Sequence, residues 1–527
     1  MKKENSPSVH WADIHARNII RSKGDKAQYV CASGITPSGT VHIGNFREII
    51  SVELVVRALR DLGRDVRFIY SWDDFDVFRK VPKNMPEQEL LQSYLRKPIT
   101  VVPDTTGTSE NYARANEERI ERQLHIVGID PEYIYQARQY QAGTYAQSIR
   151  TALEHREEIR ACLNKHRREP LPESWMPVSV FSSFTGRDAT EVISWDGQWG
   201  ITYRCLETGK EETLDMRSAK WVKLPWRIDW PMRWAFEGVD FEPAGKDHHS
   251  EGGSFDTAKE IVKVFGSDAP YTFQYDFIRI KGKGGKISSS SGEVVSLTDV
   301  LEIYQPEIVR YLFAGTRPNT EFAVSFDLDV LKIYEDYDKC ERIYYGDEEV
   351  GEKRRQKESR IYELSQVSSV PEDKPYQVPF RHLCNLLQIH SRDIDSVISS
   401  LGVVEKHQEE RLRTRCACAL NWLDLYAPEE FTFSLREPGS SVPEFPNEIL
   451  KALGQLCHVA ERMDDLSDSE LSEEIYAAAH ASGCEPKDLF AASYQVLIGK
   501  ERGPRLAGFM RTCGREKVIP LLRSFAQ

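Results

Sequence analysis

The stretch from Gln28 to Asp74 limits the fold more than any other. "QYVCAS" (Gln28 to Ser33) is an apolar run of strand length. "NFREIISVELVVRALRDLG" (Asn45 to Gly63) places apolar residues at helical spacing and stops on a glycine, and "DVRFIYSWDD" (Asp65 to Asp74) reads as a second strand. Strand, helix, strand is a βαβ unit, which demands a parallel sheet. Such sheets bind ligands beyond the carboxyl ends of their strands. Two segments stand there: "ASGITPSGTVHIGN" after the first strand, and Asp73-Asp74 after the second.

The first of these has the composition of an anion cradle. Gly34, Ser38 and Gly39 let backbone amides come close to a ligand. A helix starting near Ile43 offers unpaired N–H groups and the positive end of its dipole. His42 adds a donor, Gly44 leaves room for a flat ring, and Asn45 adds a second polar group. A plain strand-to-helix turn with a surface histidine is the competing reading. A second loop, "KGKGGKISSSSGE", follows the predicted strand "YTFQYDFIRI" and supplies lysines, glycines and serines. It is not a P-loop, because Ile287 follows Lys286 where Ser or Thr is required. Two such loops, far apart in sequence, suit a nucleoside triphosphate attacked at its α-phosphate, a reaction that needs positioning and charge stabilisation.

The rest of the chain alternates in character. A helical region, roughly 110–166, precedes Pro177 to Arg217, which alternates apolar and polar residues with turns at Thr185-Gly186, Asp196-Gly197 and Thr208-Gly209. This is expected to be a small antiparallel β insertion. The α/β pattern then resumes, and from Thr298 onward the sequence is mainly helical. At 527 residues the chain exceeds what one core usually serves. The expected fold class is α/β: a Rossmann-type parallel-sheet catalytic domain with a β insertion, followed by an all-α C-terminal domain. The expected divisions are 1–150 (first half of the catalytic domain), 151–222 (insertion), 223–300 (second half), 301–375 (a helical region) and 376–527 (the all-helical domain).

The net charge of -13 argues against a general DNA binder. The N-terminal "MKKENSPSVHWADIHARNIIRSKG" is charged and lacks an apolar signal core, and no apolar run has membrane-spanning length. The ten cysteines are scattered and read as reduced thiols. A cytoplasmic protein bound to neither DNA nor membrane is expected, as a monomer.

At this point a resemblance becomes visible. "HIGN" (His42 to Asn45) and "KISSS" (Lys286 to Ser290) resemble the HIGH and KMSKS motifs of class I aminoacyl-tRNA synthetases, with Asn45 in place of the last His and Ser289 in place of the second Lys. "GITPSGTVHIGNFRE", "SWDDFDVFRKVP", "LPWRIDWPMRW" and "GKDHHSEGGSFD" look like the class I lysyl-tRNA synthetases, closely over the catalytic half and more loosely beyond it. The resemblance implies lysine, ATP and tRNA(Lys) as substrates, joined through a lysyl-adenylate. It assigns catalysis to His42, Asn45 and Lys286. ATP would meet these three together with Pro37, Gly44, Asp247, Ser288 and Ser290. The amino acid would meet Gly34, Thr36, Asp74, Trp226, His248 and Tyr275. The ε-ammonium of lysine needs an anion once desolvated, and Asp73, Asp74 and Asp76 at the strand lip are candidates, with Asp74 preferred. Lys281 or Lys283 would compensate for the missing loop lysine. Mg²⁺ would come with ATP, held mainly by phosphates and water.

The insertion sits where relatives of this kind carry a zinc ribbon. Phe181 and Phe184 occupy the first ligand positions and Cys205 stands alone at the second, so no structural zinc is expected. Cys162 and His166 lack partners nearby in sequence. The basic runs Arg411 to Arg415 and Lys500 to Lys517 are candidates for tRNA phosphates, and Trp422, Tyr426 and Phe431 for bases of the anticodon, with core packing the commoner role for each aromatic. Two alternatives stay open: a glutamyl-type class I synthetase, and a non-catalytic tRNA-binding paralogue.

Overall fold

Strands β1 (Gln28–Ile35), β2 (Asp65–Trp72) and β3 (Glu132–Tyr135) form a parallel sheet in the order β1-β2-β3. In this computed structural model residues 10–83, 85–282, 295–402 and 405–524 are described. Helix α1 (Trp11–Lys23) packs beside α2 (Ile43–Asp61), which joins β1 to β2. Helix α2 is apolar on almost every side and is buried accordingly, through Ile43, Phe46, Ile49, Ile50, Val52, Leu54, Val55 and Leu59.

The insertion is built as expected from its turns. Strands β4 (Ser179–Val180) and β8 (Val222–Lys223) pair antiparallel, and β5 (Thr190–Trp195), β6 (Gly200–Cys205) and β7 (Glu211–Asp215) make a three-stranded antiparallel sheet. Gly186, Gly197 and Gly209 carry the positive φ their turns require, at 72°, 79° and 70°. Phe181, Tyr203, Cys205 and Met216 are buried in its core with Phe75 and Tyr140. Phe184, by contrast, is exposed, with the Lys210 ammonium over its ring.

After the insertion the chain returns to the far side of β1. Phe241 bridges Cys31 in parallel, Tyr271 bridges Phe241 in parallel, and β9 (Ala244–Gly245) pairs parallel with β10 (Gln274–Tyr275). The chain therefore crosses to opposite sides of β1, which creates a topological switch point at its carboxyl end. Strands β11 (Ile278–Ile280) and β12 (Phe322–Val324) add a parallel pair.

Contacts divide the chain into two units, one of Met1–Leu301, Pro306–Val324 and Lys339–Asp373, the other of Glu302–Gln305, Ser325–Asp338 and Lys374–Gln527. Residues 301–375 are thus shared between them. From Phe380 the described part of the second unit is helical, with Leu453, Leu456, Met463, Leu489, Leu497 and Phe509 in its core. Trp422 is buried there, its indole N–H donating to the Phe326 carbonyl at 3.0 Å. The basic runs are largely engaged inside this unit. Arg415 pairs with Asp338 at 2.6 Å, Arg413 with Asp395 at 2.6 Å, and Arg511 with Asp468 at 2.7 Å. All ten cysteines are buried and unbridged. Among the described residues no helix is long and apolar enough to cross a membrane.

Within the first unit, one buried ion pair ties distant segments to α2. Arg310 has no exposed surface; its guanidinium meets Glu53 at 2.6 Å and donates to the carbonyls of Val127 and Leu364. Truncating one partner of such a pair strands a buried charge. Glu53→Ala is expected to cost about 3–5 kcal/mol, read as a drop in the urea midpoint, whereas the exposed-pair change Glu211→Ala leaves the midpoint nearly unmoved.

Candidate active site

A cavity of about 490 Å³ opens at the switch point, beyond the carboxyl ends of β1, β2 and β9. Its lining combines Gly34 and Thr36 after β1, His42, Gly44, Asn45 and Glu48 from the start of α2, and Asp73 and Asp76 after β2. The helix Trp226–Glu237 adds Trp226, Trp230 and Arg233. The segment around β9 and β10 adds Glu242, Asp247, His248 and Tyr275.

His42 is the N-cap of α2, and its backbone N–H donates to Asn45 Oδ1 at 3.3 Å. The imidazole lies against Gly44: a Cβ there would sit 2.8 Å from both Cε1 and Nδ1. A side chain at this position would therefore collide with His42, while Gly44 itself lines the cavity. Gly34 is also constrained from within. A Cβ on it would lie 2.7 Å from the Ser71 carbonyl across the β1–β2 pair, and its N–H donates to Glu48 at 3.3 Å.

Charge is distributed unevenly around this space. Asp76 meets the Lys223 ammonium at 2.6 Å and accepts from the Thr36 hydroxyl at 3.1 Å. Burial would raise its pKa, but the Lys223 charge and these hydrogen bonds hold it below the usual carboxylate range. Asp73 meets Arg233 at 2.8 Å, and Arg233 also meets Asp229 at 3.0 Å. Glu48 and Glu242 form no ion pair with any described residue. Glu48 accepts from Ser33 Oγ at 2.9 Å and from the Tyr275 hydroxyl; burial raises its pKa. Glu242 accepts from the indole N–H groups of Trp230 and Trp234, at 3.0 and 2.6 Å. Burial and the nearby Glu48 charge push it up to about 7.

The sequence expectations meet this geometry unequally. Gly34, Thr36, His42, Gly44, Asn45, Trp226, Asp247, His248 and Tyr275 all line the cavity. Pro37 is buried in the loop and does not line it. Asp74 is corrected: its side chain is only 4% exposed, points away from the cavity lining, and accepts the Ala137 N–H at 2.7 Å. The chain leaves β2 at Trp72 and turns at Asp74, which sends this carboxylate away from Asp73 and Asp76; its burial raises its pKa to about 7. Lys283, Lys286, Ser288 and Ser290 lie outside the described residues. Reading from sequence missed Glu48, Arg233 and Glu242. Glu48 had a signal, as a carboxylate three residues after Asn45 and so on the same side of the helix.

These features define a nucleotide-binding α/β protein whose ligand cavity lies at the switch point of a parallel sheet. A family model described as "tRNA synthetases class I (K)" matches residues 9–368, and the chain belongs to that family. It is 53% identical to the lysine–tRNA ligase of Borreliella burgdorferi, over 97% of this chain and 98% of that protein. It is 54% identical to the lysine–tRNA ligase of Treponema pallidum, over 98% of each. It is 44% identical to the lysine–tRNA ligase of Thermococcus kodakarensis, over 98% of this chain and 99% of that one.

The Lys223–Asp76 pair generates a pH prediction. In the wild type a depressed Asp76 pKa contributes stability above the unfolded-state value, lost only as pH falls through the folded one. Lys223→Met reverses the sign, because the buried carboxyl then titrates above its unfolded value and is destabilising when ionised. The melting-temperature gap between wild type and Lys223→Met is expected to be widest above neutral pH and to narrow as the pH is lowered toward the ordinary aspartate range.

Proposed function

We infer that the chain activates L-lysine with ATP and transfers it to tRNA(Lys), releasing AMP and pyrophosphate. The carrying observation is the charge pattern of the cavity. Lysine bears two ammonium groups, and the cavity holds two carboxylates, Glu48 and Glu242, that lack a protein cation among the described residues. Desolvating an ammonium without an anion is prohibitive, so a cavity of this kind suits a ligand with two ammonium groups. The aromatic rings of Trp226, Trp230 and Tyr275 offer apolar walls for the methylene stem, with about 0.5–2 kcal/mol from cation–π attraction. The names of the relatives agree with this substrate.

In the first step the lysine carboxylate oxygen attacks the α-phosphorus, a new P–O bond forms, and the bond to the pyrophosphate oxygen breaks. The polyphosphate is proposed to lie at the N-terminus of α2, where the helix dipole is positive and His42 and Asn45 line the cavity, the Ile43 and Asn45 N–H groups themselves being held by the carbonyls of Val295 and His42. Lys286, Ser288 and Ser290 are proposed to close on the β and γ phosphates. Mg²⁺ arrives as part of the nucleotide substrate. The proposed division of labour gives 376–527 the anticodon and 301–375 the tRNA stem. A glutamyl activity is disfavoured because Arg233, the one arginine among the described residues that line the cavity, is already held by Asp73 and Asp229.

The test is ATP–pyrophosphate exchange over the standard amino acids, with and without tRNA. Exchange with lysine, cut by about 10²–10³ in His42→Ala, supports the reading. Exchange with glutamate overturns the substrate, and absence of exchange by folded, tRNA-binding protein favours a non-catalytic paralogue.

Glu242 gives a second prediction. Its pKa near 7 makes it mostly neutral at pH 6, and a bound cation favours its ionised form. Lysine affinity measured by calorimetry is therefore expected to rise by up to about tenfold between pH 6 and pH 8, and Glu242→Gln to flatten that rise.

A further inference from the structure

Two turns of the insertion are built alike: "SSFTGR" (Ser182 to Arg187) and "CLETGK" (Cys205 to Lys210). In the first, the Ser182 N–H donates to the Arg187 carbonyl at 2.8 Å and the Gly186 N–H to the Ser182 carbonyl at 2.7 Å. In the second, the Cys205 N–H donates to the Lys210 carbonyl at 2.8 Å and the Gly209 N–H to the Cys205 carbonyl at 2.8 Å. The threonines match as well. Arg187 N–H donates to Thr185 Oγ1 and Lys210 N–H to Thr208 Oγ1, each at 3.3 Å. In each turn the N–H two residues on donates to the leading side chain, Phe184 to Ser182 Oγ at 3.2 Å and Glu207 to the Cys205 sulfur.

The two turns also meet. The Cys205 sulfur receives the Ser182 and Thr208 hydroxyls, Glu207 receives the Thr185 hydroxyl, and Arg187 pairs with Glu207 at 3.0 Å. Side chains three residues apart, a glycine after the second, and amide N–H groups turned on the first describe one half of a metal knuckle site. The four ligand positions are therefore 182, 185, 205 and 208. The first pair stands one residue beyond Phe181 and Phe184, which turn to the core and to solvent. The groups present do not fit zinc, which takes four N or S donors and binds thiols deprotonated. Three of the four are hydroxyls, neutral at physiological pH. They do fit one another: Ser182, Thr185 and Thr208 each accept from a backbone N–H and donate onward to Cys205 or Glu207.

We propose that Ser182, Thr185, Cys205 and Thr208 stand at the four ligand positions of a paired metal knuckle in which hydrogen bonds take the place of the ion, on a backbone still shaped to hold zinc. An insertion held this way keeps β8 and Lys223 in place without a supply of metal.

The experiment measures metal content and melting temperature of the full chain. Wild type is expected to carry no stoichiometric zinc, even when purified with zinc present, and to melt at the same temperature with and without chelator. Ser182→Ala, which removes a buried hydroxyl from the network, is expected to lower the melting temperature by a few degrees, equally with and without chelator. The variant Ser182→Cys/Thr185→Cys/Thr208→Cys is expected to bind one zinc ion per chain, to give with cobalt the visible absorption of a tetrahedral thiolate site, and to melt higher with zinc than with chelator. Stoichiometric zinc in wild type that is lost in Cys205→Ser overturns the proposal. So does a triple variant that takes up no metal, and so does a Ser182→Ala variant as stable as wild type.

Discussion

The Lys223–Asp76 ion pair is the contact on which the site depends. A carboxylate withdrawn from water beside other carboxylates either finds a cation or takes up a proton. Asp76 finds its cation in a strand of two residues, β8, delivered by an insertion that begins about 100 residues later in the chain. The core that the insertion shares with Phe75 and Tyr140 holds β4 and β8, and with them Lys223, in place. Arg233 does the same for Asp73, reaching it from a helix that follows the insertion directly. The two acids at the lip of β2 are thereby neutralised by the protein. The negative charge left for a ligand is concentrated on Glu48 and Glu242, deeper in the cavity, where hydroxyl and indole donors hold the carboxylates without cancelling them.

The same economy of buried charge holds the frame together. Helix α2 carries the anion-facing end of the site, so any tilt of that helix moves His42 and Asn45. Arg47, 2% exposed, donates to the carbonyls of Arg317, Pro318 and Thr320, and Glu53 pairs with Arg310 two turns further on. Arg47 thus binds carbonyls of the loop at 317–320, and Arg310 binds carbonyls at the C-terminal ends of the helices Tyr112–Ile126 and Glu352–Ser365. The helix is fixed by polar anchors at its sides as well as by its apolar surface.

Much of this was legible in the sequence. The βαβ start, the β insertion with its three glycine turns and the helical C-terminal part follow from local periodicity and from glycine at positions of positive φ. The cavity-lining status of His42, Asn45, Thr36, His248 and Tyr275 follows from motif and strand order. What was not legible depends on which side of a lip a carboxylate faces. Asp73, Asp74 and Asp76 are near neighbours in sequence, and only the turn that follows β2 separates the two that line the cavity from the one that accepts the Ala137 N–H. Glu242 reads as an ordinary acid in "VDFEPAG"; its importance comes from two tryptophans on another helix. The pairing of the basic runs is a further feature that only the fold displays. Composition counts cations but does not show that Arg413, Arg415 and Arg511 have acids of their own unit opposite them.

The arrangement implies that discrimination between amino acids rests on two unequal mechanisms. Against glutamate it is electrostatic: a third carboxylate would be brought beside Glu48 and Glu242, with Arg233 already committed, and like charges at close range in a dry cavity repel by several kcal/mol. Against a diamino acid one methylene shorter, both charges are right and only reach is wrong. The loss is then about 1–3 kcal/mol for the missing methylene and the slack hydrogen bond. A cavity that fixes its carboxylates rigidly, through Tyr275 and Ser33 on Glu48 and two indoles on Glu242, makes the most of that small difference, because neither anion can follow a shorter side chain inward. Rigidity in the donors around the carboxylates therefore bears on selectivity more than the carboxylates themselves do.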